Sequence, residues 1–278
     1  MKKFLNEFEK IKENIIKTKP LIHHLTNYVT AGDCANACLC FGASPVMADE
    51  KEEMLDITSK ASALVINLGT INMRTFISMK EAIGVAHKHR VPIILDPVGV
   101  MASVLRSKMA KEILELGVSV IRGNYAECAS LLGDNSFGKG VDSDNTVDNT
   151  GTLAKKLAQK YHCVVAITGA KDAICDGKTI VIAENGNSML TKVTGTGCMT
   201  TTLIASSMGT TDNYLVAALL GITCMNVAAE KAVETLGENE GPGTFKMKLL
   251  DKINLLTAKE LASSFKGEIF NEKESTGL

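Results

Sequence analysis

The sequence predicts an α/β fold of three layers, with a mostly parallel central sheet covered by helices on both faces. Three observations predict it. Short apolar segments bounded by glycine or proline recur along the chain and alternate with segments whose apolar residues fall at helical spacing. The length of 278 residues suits one large α/β domain, and the whole chain reads as one, residues 1–278. The composition, 45% hydrophobic and 22% charged, is that of an ordinary globular protein able to fill a large core.

Taken in order, residues 1–19 read as an N-terminal helix. Phe4, Phe8, Ile11 and Ile15 recur at helical spacing and Pro20 stops the run. "LIHHLTNYVT" follows as a loop that carries His23 and His24. "ALVINLG" (63–69) is a buried strand, "MRTFISMKEAIGVAHKHR" a helix whose terminal His87 and His89 complement its dipole, and "VPIILDP" (91–97) a second strand. "ASVLRSKMAKEILELG" is a helix, "VSVIRGN" (118–124) a third strand and "YAECASLLG" a short helix. The polar interval 133–150 reads as a surface loop, because helix–strand alternation resumes after it with the same character. "HCVVAITG" (162–169) and "KTIVIAEN" (178–185) are further strands, and the last third is mostly helix. The apolar run Leu215 to Ala229 reads as a buried helix, "GPGTF" (241–245) as a helix start with a packing role, and 267–278 as a flexible tail.

Bulk properties exclude several classes of function. A net charge of −1 gives no electrostatic reason for nucleic acid or an anionic membrane as partner. Trp is absent and aromatic residues are 4% of the chain, which weakens base-stacking and carbohydrate-platform readings. No signal-peptide pattern is present at the N-terminus. The eight cysteines contain no CxxC pair, and Cys34, Cys38 and Cys40 lie in an apolar stretch as small core residues, so a reduced, cytoplasmic protein without a zinc site is expected. "GDNSFGKG" (133–140) nearly spells a phosphate-binding Walker A loop. It ends in Gly140 where Ser or Thr should bind Mg²⁺, and neither a strand before it nor a helix after it supports that role.

The chemistry concentrates at the carboxyl ends of the strands, where open parallel sheets collect ligands. "IILDPVG" offers Asp96. "VSVIRGNYAE" offers Arg122, Gly123, Asn124 and Glu127. "VVAITGAKD" offers Thr168, Gly169 and Asp172, and "LTKVTGTGC" offers Thr194 to Cys198. Each carboxylate alone is explained by helix capping. Together, the acids, an arginine and a glycine turn suit an anionic ligand with Mg²⁺. In the TGTGC turn, glycines permit close backbone approach and a helix starting near Cys198 presents free N–H groups, an anion hole for a phosphoryl group. A tight strand–helix turn with a buried cysteine reads the same letters equally well. If the hole is real, Cys198 sits where helix N-termini stabilise thiolates, as a general base, as an orienting contact for an alcohol, or as a nucleophile lacking a visible partner base.

The ordered set "LIHHLTNYVT…ANACLCFGASPVMA", "LDPVG", "RGNYAE", "AITGAKD", "VTGTGC" and "GPGTF" resembles the hydroxyethylthiazole kinases of the ribokinase-like superfamily, from about residue 20 to 255. The resemblance implies a ribokinase-like αβα domain. It implies Mg²⁺-dependent transfer of the γ-phosphate of ATP to the hydroxyl of 4-methyl-5-(2-hydroxyethyl)thiazole in thiamine salvage, in a homotrimer with active sites between subunits. By motif, Asn27 and Met47 contact the thiazole, with Gly195 in the turn beside the substrate. Asp96 and Glu127 hold Mg²⁺, directly or through water. Arg122, Asn124 and Thr168 line the nucleotide phosphates, and the backbone from Thr194 to Cys198 forms the anion hole with Cys198 next to the substrate hydroxyl. Many ribokinase-like enzymes place an aspartate at the position of Cys198; the thiazole kinases carry cysteine there, as this chain does.

Overall fold

The structure, a computed structural model, describes residues 2–133 and 149–271. The Walker-like stretch 133–140 and the interval 133–150 lie outside the described residues apart from their ends.

Helix α1 (Lys2–Thr18) ends two residues before Pro20, and its periodic residues Phe8, Ile11 and Ile15 are buried. Each such side chain contributes roughly 1.5–3 kcal/mol on leaving water. The chain then runs β1 (Leu21–Leu25), α2 (Ala31–Phe41), β2 (Ser44–Met47), α3 (Met54–Thr58), β3 (Ala63–Asn67), α4 (Met73–His89), β4 (Ile93–Asp96), α5 (Val104–Leu116), β5 (Val120–Asn124) and α6 (Tyr125–Leu132). After the undescribed interval come α7 (Asn149–Tyr161), β6 (Val164–Thr168), β7 (Asp172–Cys175), β8 (Thr179–Ala183), α8 (Thr196–Met208), α9 (Tyr214–Glu234), α10 (Pro242–Leu255), α11 (Ala258–Ser264) and β9 (Gly267–Asn271).

The strands form one nine-stranded sheet in the order β2-β1-β3-β4-β5-β6-β7-β8-β9. From β2 to β6 all pairs are parallel, so the carboxyl ends of six strands share one edge. From β6 to β9 the pairs are antiparallel. Side chains alternate across the sheet: Ala63 and Val65 enter one core with α1, α2 and α8 to α11, while Leu64 and Ile66 enter the other with α3 to α7. That is the expected three-layer arrangement. Helix α9 alone among the described residues is long and apolar enough to cross a membrane by composition, and 83% of its most apolar window is buried against the rest of the fold.

Two expectations are corrected here. The histidines lie on a buried strand, β1, not in a loop. Their ring nitrogens are satisfied inside: His23 by Thr58 Oγ1 at 2.9 Å and Ala48 O at 3.0 Å, His24 by Ile22 O at 3.0 Å and Thr202 Oγ1 at 3.2 Å. Burial lowers the pKa of both, that of His24 to about 4, so both are neutral at pH 7. The tail begins as strand β9, because β8 exposes an edge whose backbone groups pair with residues 267–271; residues 272–278 lie outside the described residues.

Candidate active site

The centre of the site is the N-terminus of α8. Gly195 caps it at φ 92°, a left-handed conformation, and no side chain caps the helix. A Cβ on Gly195 would stand 2.9 Å from Thr30 Cγ2, and one on Gly197 would stand 2.6 Å from Arg122 Nη1. Glycine at both positions thus lets α2 and the Arg122 guanidinium press against the turn. The first-turn N–H groups, the helix dipole and a guanidinium converge on one spot, a site for anions.

Beneath that spot lies Asp96, the last residue of β4 and fully buried. Its Oδ2 accepts from Thr201 Oγ1 at 2.7 Å and lies 3.7 Å from Arg122 Nη1. Arg122 Nη2 also donates to Thr168 Oγ1 at 2.5 Å. Burial pushes the Asp96 carboxyl up to about 6, against the pull of Arg122 and Thr201, and the charge of Glu127 adds to the rise. Asp96 Oδ1 is buried with no hydrogen-bond partner. An orphaned carboxylate oxygen beside a second acid fits a hard divalent cation, which Mg²⁺ sites hold through one or two carboxylates plus phosphate oxygens. Among the described residues, no group of three or more His, Cys, Asp or Glu side chains is placed to hold a metal ion.

Glu127 is already engaged. Its Oε1 accepts from Gly99 N and its Oε2 from Asn124 N, each at 2.9 Å, while Asn124 Oδ1 accepts from Glu127 N. This is a capping box at the start of α6. The capping role weighed for strand-end acids is therefore real at Glu127, and each oxygen keeps a lone pair for water or metal.

Cys198 is the third residue of α8 and is 9% exposed. Its sulfur accepts from Asn67 Nδ2 at 3.2 Å and Asn27 Nδ2 at 3.5 Å. Burial raises the thiol pKa, and the neighbouring Asp96 charge raises it further, against hydrogen bonds from Thr30 and Asn67. The sequence left the state of this thiol open; desolvation and the nearby carboxylate raise its pKa from an already high value, so Cys198 is a neutral thiol at pH 7.

Two cavities lie close to this centre. The first, about 250 Å³, is lined by His24, Thr26, Tyr28, Met47, Asn67 and Met79 among others. The second, about 710 Å³, is lined by Arg122, Asn124, Thr168, Thr196, Gly197 and Asn226 among others. Asn67 lines the first and touches Cys198; Gly197, next to Cys198, lines the second. Of the residues picked out in the sequence, Met47 therefore lies in the smaller cavity and Arg122, Asn124 and Thr168 in the larger. Asp96, Glu127 and Cys198 line neither, and Cys198 connects the two through Asn67 and Gly197. Asn27 stands behind the smaller cavity, its Oδ1 taken by Thr30 N at 3.0 Å and Thr30 Oγ1 at 3.1 Å. Gly195 and Thr194 line neither cavity, and Thr194 is exposed.

Three features were missed in the sequence. Asn67 was the polar last letter of a strand already recognised. Thr201 lies one turn beyond Cys198 in a run that reads as apolar helix. Asn226 lies in an apolar helix and donates to Asp172 Oδ2 at 2.6 Å, from the far wall of the larger cavity.

Comparison with known proteins accords with this geometry. The family model described as "Hydroxyethylthiazole kinase family" matches residues 12–259. A hydroxyethylthiazole kinase of Alkaliphilus metalliredigens is 48% identical over 92% of this chain and 95% of its own length. The solved hydroxyethylthiazole kinase of Pyrococcus horikoshii superposes with a TM-score of 0.87 at 33% identity, over 96% of this chain and 100% of that one. A ribokinase-like superfamily protein of Enterococcus faecalis shares the fold alone, with a TM-score of 0.62 at 12% identity over 87% and 88% of the two chains.

Proposed function

This chain belongs to the hydroxyethylthiazole kinase family, whose members are kinases acting on a hydroxyl group, and from that premise we propose that it transfers the γ-phosphoryl group of ATP to the hydroxyl of 4-methyl-5-(2-hydroxyethyl)thiazole, with Mg²⁺, in thiamine salvage. The observation that carries the proposal is a pair of cavities linked through Asn67, Cys198 and Gly197 at one uncapped helix N-terminus. The smaller, partly apolar cavity beside Met47 suits a small heteroaromatic alcohol, with Asn27 behind it and Gly195 in the turn that opens α8. The larger suits a nucleotide, its phosphates toward Arg122, Asn124, Thr168 and the backbone that leads from Thr194 into α8.

In this reading the alcohol rests its hydroxyl against Cys198. The sulfur accepts the hydroxyl proton in a hydrogen bond and turns an oxygen lone pair toward the phosphoryl group. A neutral thiol suffices, because phosphoryl transfer passes through a loose transition state in which the nucleophile is little deprotonated beforehand. The first-turn amides of α8 and the Arg122 guanidinium stabilise charge on the transferring oxygens. Asp96, with Glu127, would hold Mg²⁺, which supplies charge neutralisation of the nucleotide phosphates when bound.

The test is ADP release. It is expected to depend on added hydroxyethylthiazole and to be far weaker with hydroxymethylpyrimidine or pyridoxal. Faster turnover of either competitor moves the chain's own substrate elsewhere in the superfamily.

A homotrimer belongs to the same proposal. Its support is Tyr28, which rims the smaller cavity while 81% exposed, together with Val104 at 87%. Light scattering during size exclusion is expected to give three times the chain mass; a monomer at micromolar concentration removes this part.

A further inference from the structure

We propose that Asn67 is a positioning residue for the transfer, its side-chain amide holding the Cys198 sulfur where the substrate hydroxyl must meet it. The inference rests on the kinase reading for its catalytic consequence and on geometry alone for the contact. Asn67 ends β3, next to Asp96 in the parallel register of β3 and β4, and is 2% exposed.

The orientation of its amide is fixed from outside. Gly69 N donates to Asn67 Oδ1 at 2.9 Å, and Asn27 Nδ2 donates to the same oxygen at 3.0 Å. With two donors on that side, the oxygen cannot exchange places with the nitrogen, so Nδ2 faces the sulfur. The supporting turn is itself held. Arg106 Nη1 donates to Leu68 O and, at 3.0 Å, to Val98 O, while its Nη2 donates to Gly69 O at 2.5 Å. Leu68 N donates to Asp96 O at 3.1 Å, tying the turn to the end of β4. A Cβ on Gly69 would stand 2.7 Å from Asn27 Cβ, so the Gly69 backbone is packed against Asn27 with no slack. Such a chain of fixed contacts is what a reacting group needs to stay within a fraction of an ångström of its working place. Asn27 Nδ2 also reaches the sulfur, at the longer distance of 3.5 Å, and it is this weaker contact that the substrate hydroxyl would displace while the 3.2 Å bond from Asn67 stays.

A merely structural asparagine would end β3 equally well, and Asn67→Asp separates the two roles. The aspartate keeps an oxygen acceptor for Gly69 and Asn27, but it replaces the N–H that faces the sulfur and Asp96 with a charged oxygen, so the Cys198→Ala background is what isolates the sulfur contact. Turnover of Asn67→Asp is expected to fall roughly tenfold or more, with KM for the thiazole alcohol changed less than about threefold. In a Cys198→Ala background the same change is expected to cost little further, because the two residues act as one unit. Unchanged turnover, or an equal loss with and without Cys198, overturns the proposal.

A second measurement needs no turnover. Carbamidomethylation of Cys198 by iodoacetamide, followed by peptide mass spectrometry, is expected to be several-fold slower in folded Asn67→Asp, which removes a donor and adds a negative charge beside the sulfur. An unchanged rate overturns the contact. Failure of the kinase reading would show separately, as wild-type protein that releases no ADP with any alcohol yet still gives the alkylation difference.

Discussion

In the proposed reaction Cys198 and Asp96 divide the chemistry by environment. Both are buried and both have raised pKa values, but the thiol starts high and stays protonated, while the carboxyl rises only to about 6 and is mostly ionised at pH 7. Ionisation of Cys198 is therefore not required, and kcat is expected to stay level between pH 7 and 9. A rise through that range, absent in Cys198→Ser, would make the thiolate a true base. Cys198→Ala is expected to retain turnover at a loss below the roughly 10²–10⁴-fold typical of a missing acid–base group. Asp96→Asn is expected to lower kcat by at least about 10²-fold, as removal of transition-state charge stabilisation does, while the calorimetric Kd for the thiazole alcohol stays within about twofold. Equal loss of both would place Asp96 in substrate binding or packing. At this scale the sequence was informative where a polar letter closed an apolar run: Asp96, Arg122 and Thr168 all stand at strand ends. Asn67 obeyed the same rule and passed unnoticed because an amide carries no charge. The direction of the Cys198 shift was illegible, since it depends on burial and on Asp96, which is 102 positions away in the chain and adjacent only after folding.

Helices were legible by period and strands by apolar content, with characteristic failures. β1 was hidden by two histidines, whose polarity is cancelled by partners up to 178 residues away. β2 is short, carries Pro45 and lies at the sheet edge, where a missing N–H costs no ladder bond. β7 and β9 depend on pairing with β6 and β8, information absent from four or five letters. The glycine turn before α8 was legible because glycine is demanded there by φ and by contact. Gly221 was not, although the packing of α8 on α9 depends on it: a Cβ there would stand 2.7 Å from Ile204 N. Gly221→Ala is expected to destabilise by about 1–3 kcal/mol, read as a lower denaturant midpoint with unchanged slope. An unchanged midpoint would mean that the two helices separate freely.

For the molecule as a whole, the parallel half of the sheet gathers six carboxyl ends on one edge, and the antiparallel half extends the floor of the larger cavity. Asp172, at the start of that half, is 3% exposed. Burial raises its pKa to about 6, opposed by hydrogen bonds from Gly169 N and Asn226 Nδ2. The folded state thus binds this proton more tightly than the unfolded chain. The group's stabilising contribution is full below pH 4 and is lost as pH rises through 6. Relative to Asp172→Asn, which does not titrate, the wild type is expected to lose on the order of 3 kcal/mol between pH 4 and 7 in urea titrations. A difference that stays constant or grows with pH would show that Asp172 ionises as an exposed acid does. The fold class was readable from alternation of segments alone; the placing of two cavities near one helix end was not, because it requires knowing which strand ends are neighbours.

Every residue of α8 from Cys198 to Met208 is buried. The amides proposed to face the phosphoryl group are thus the first rungs of a rod sunk in the middle of the protein. Such a rod opens to solvent only when everything around it opens, so deuterium should enter residues 199–208 no faster than global unfolding allows. Heat or urea would then silence the enzyme and melt it in a single event, leaving no cooler window in which a folded but inactive form accumulates.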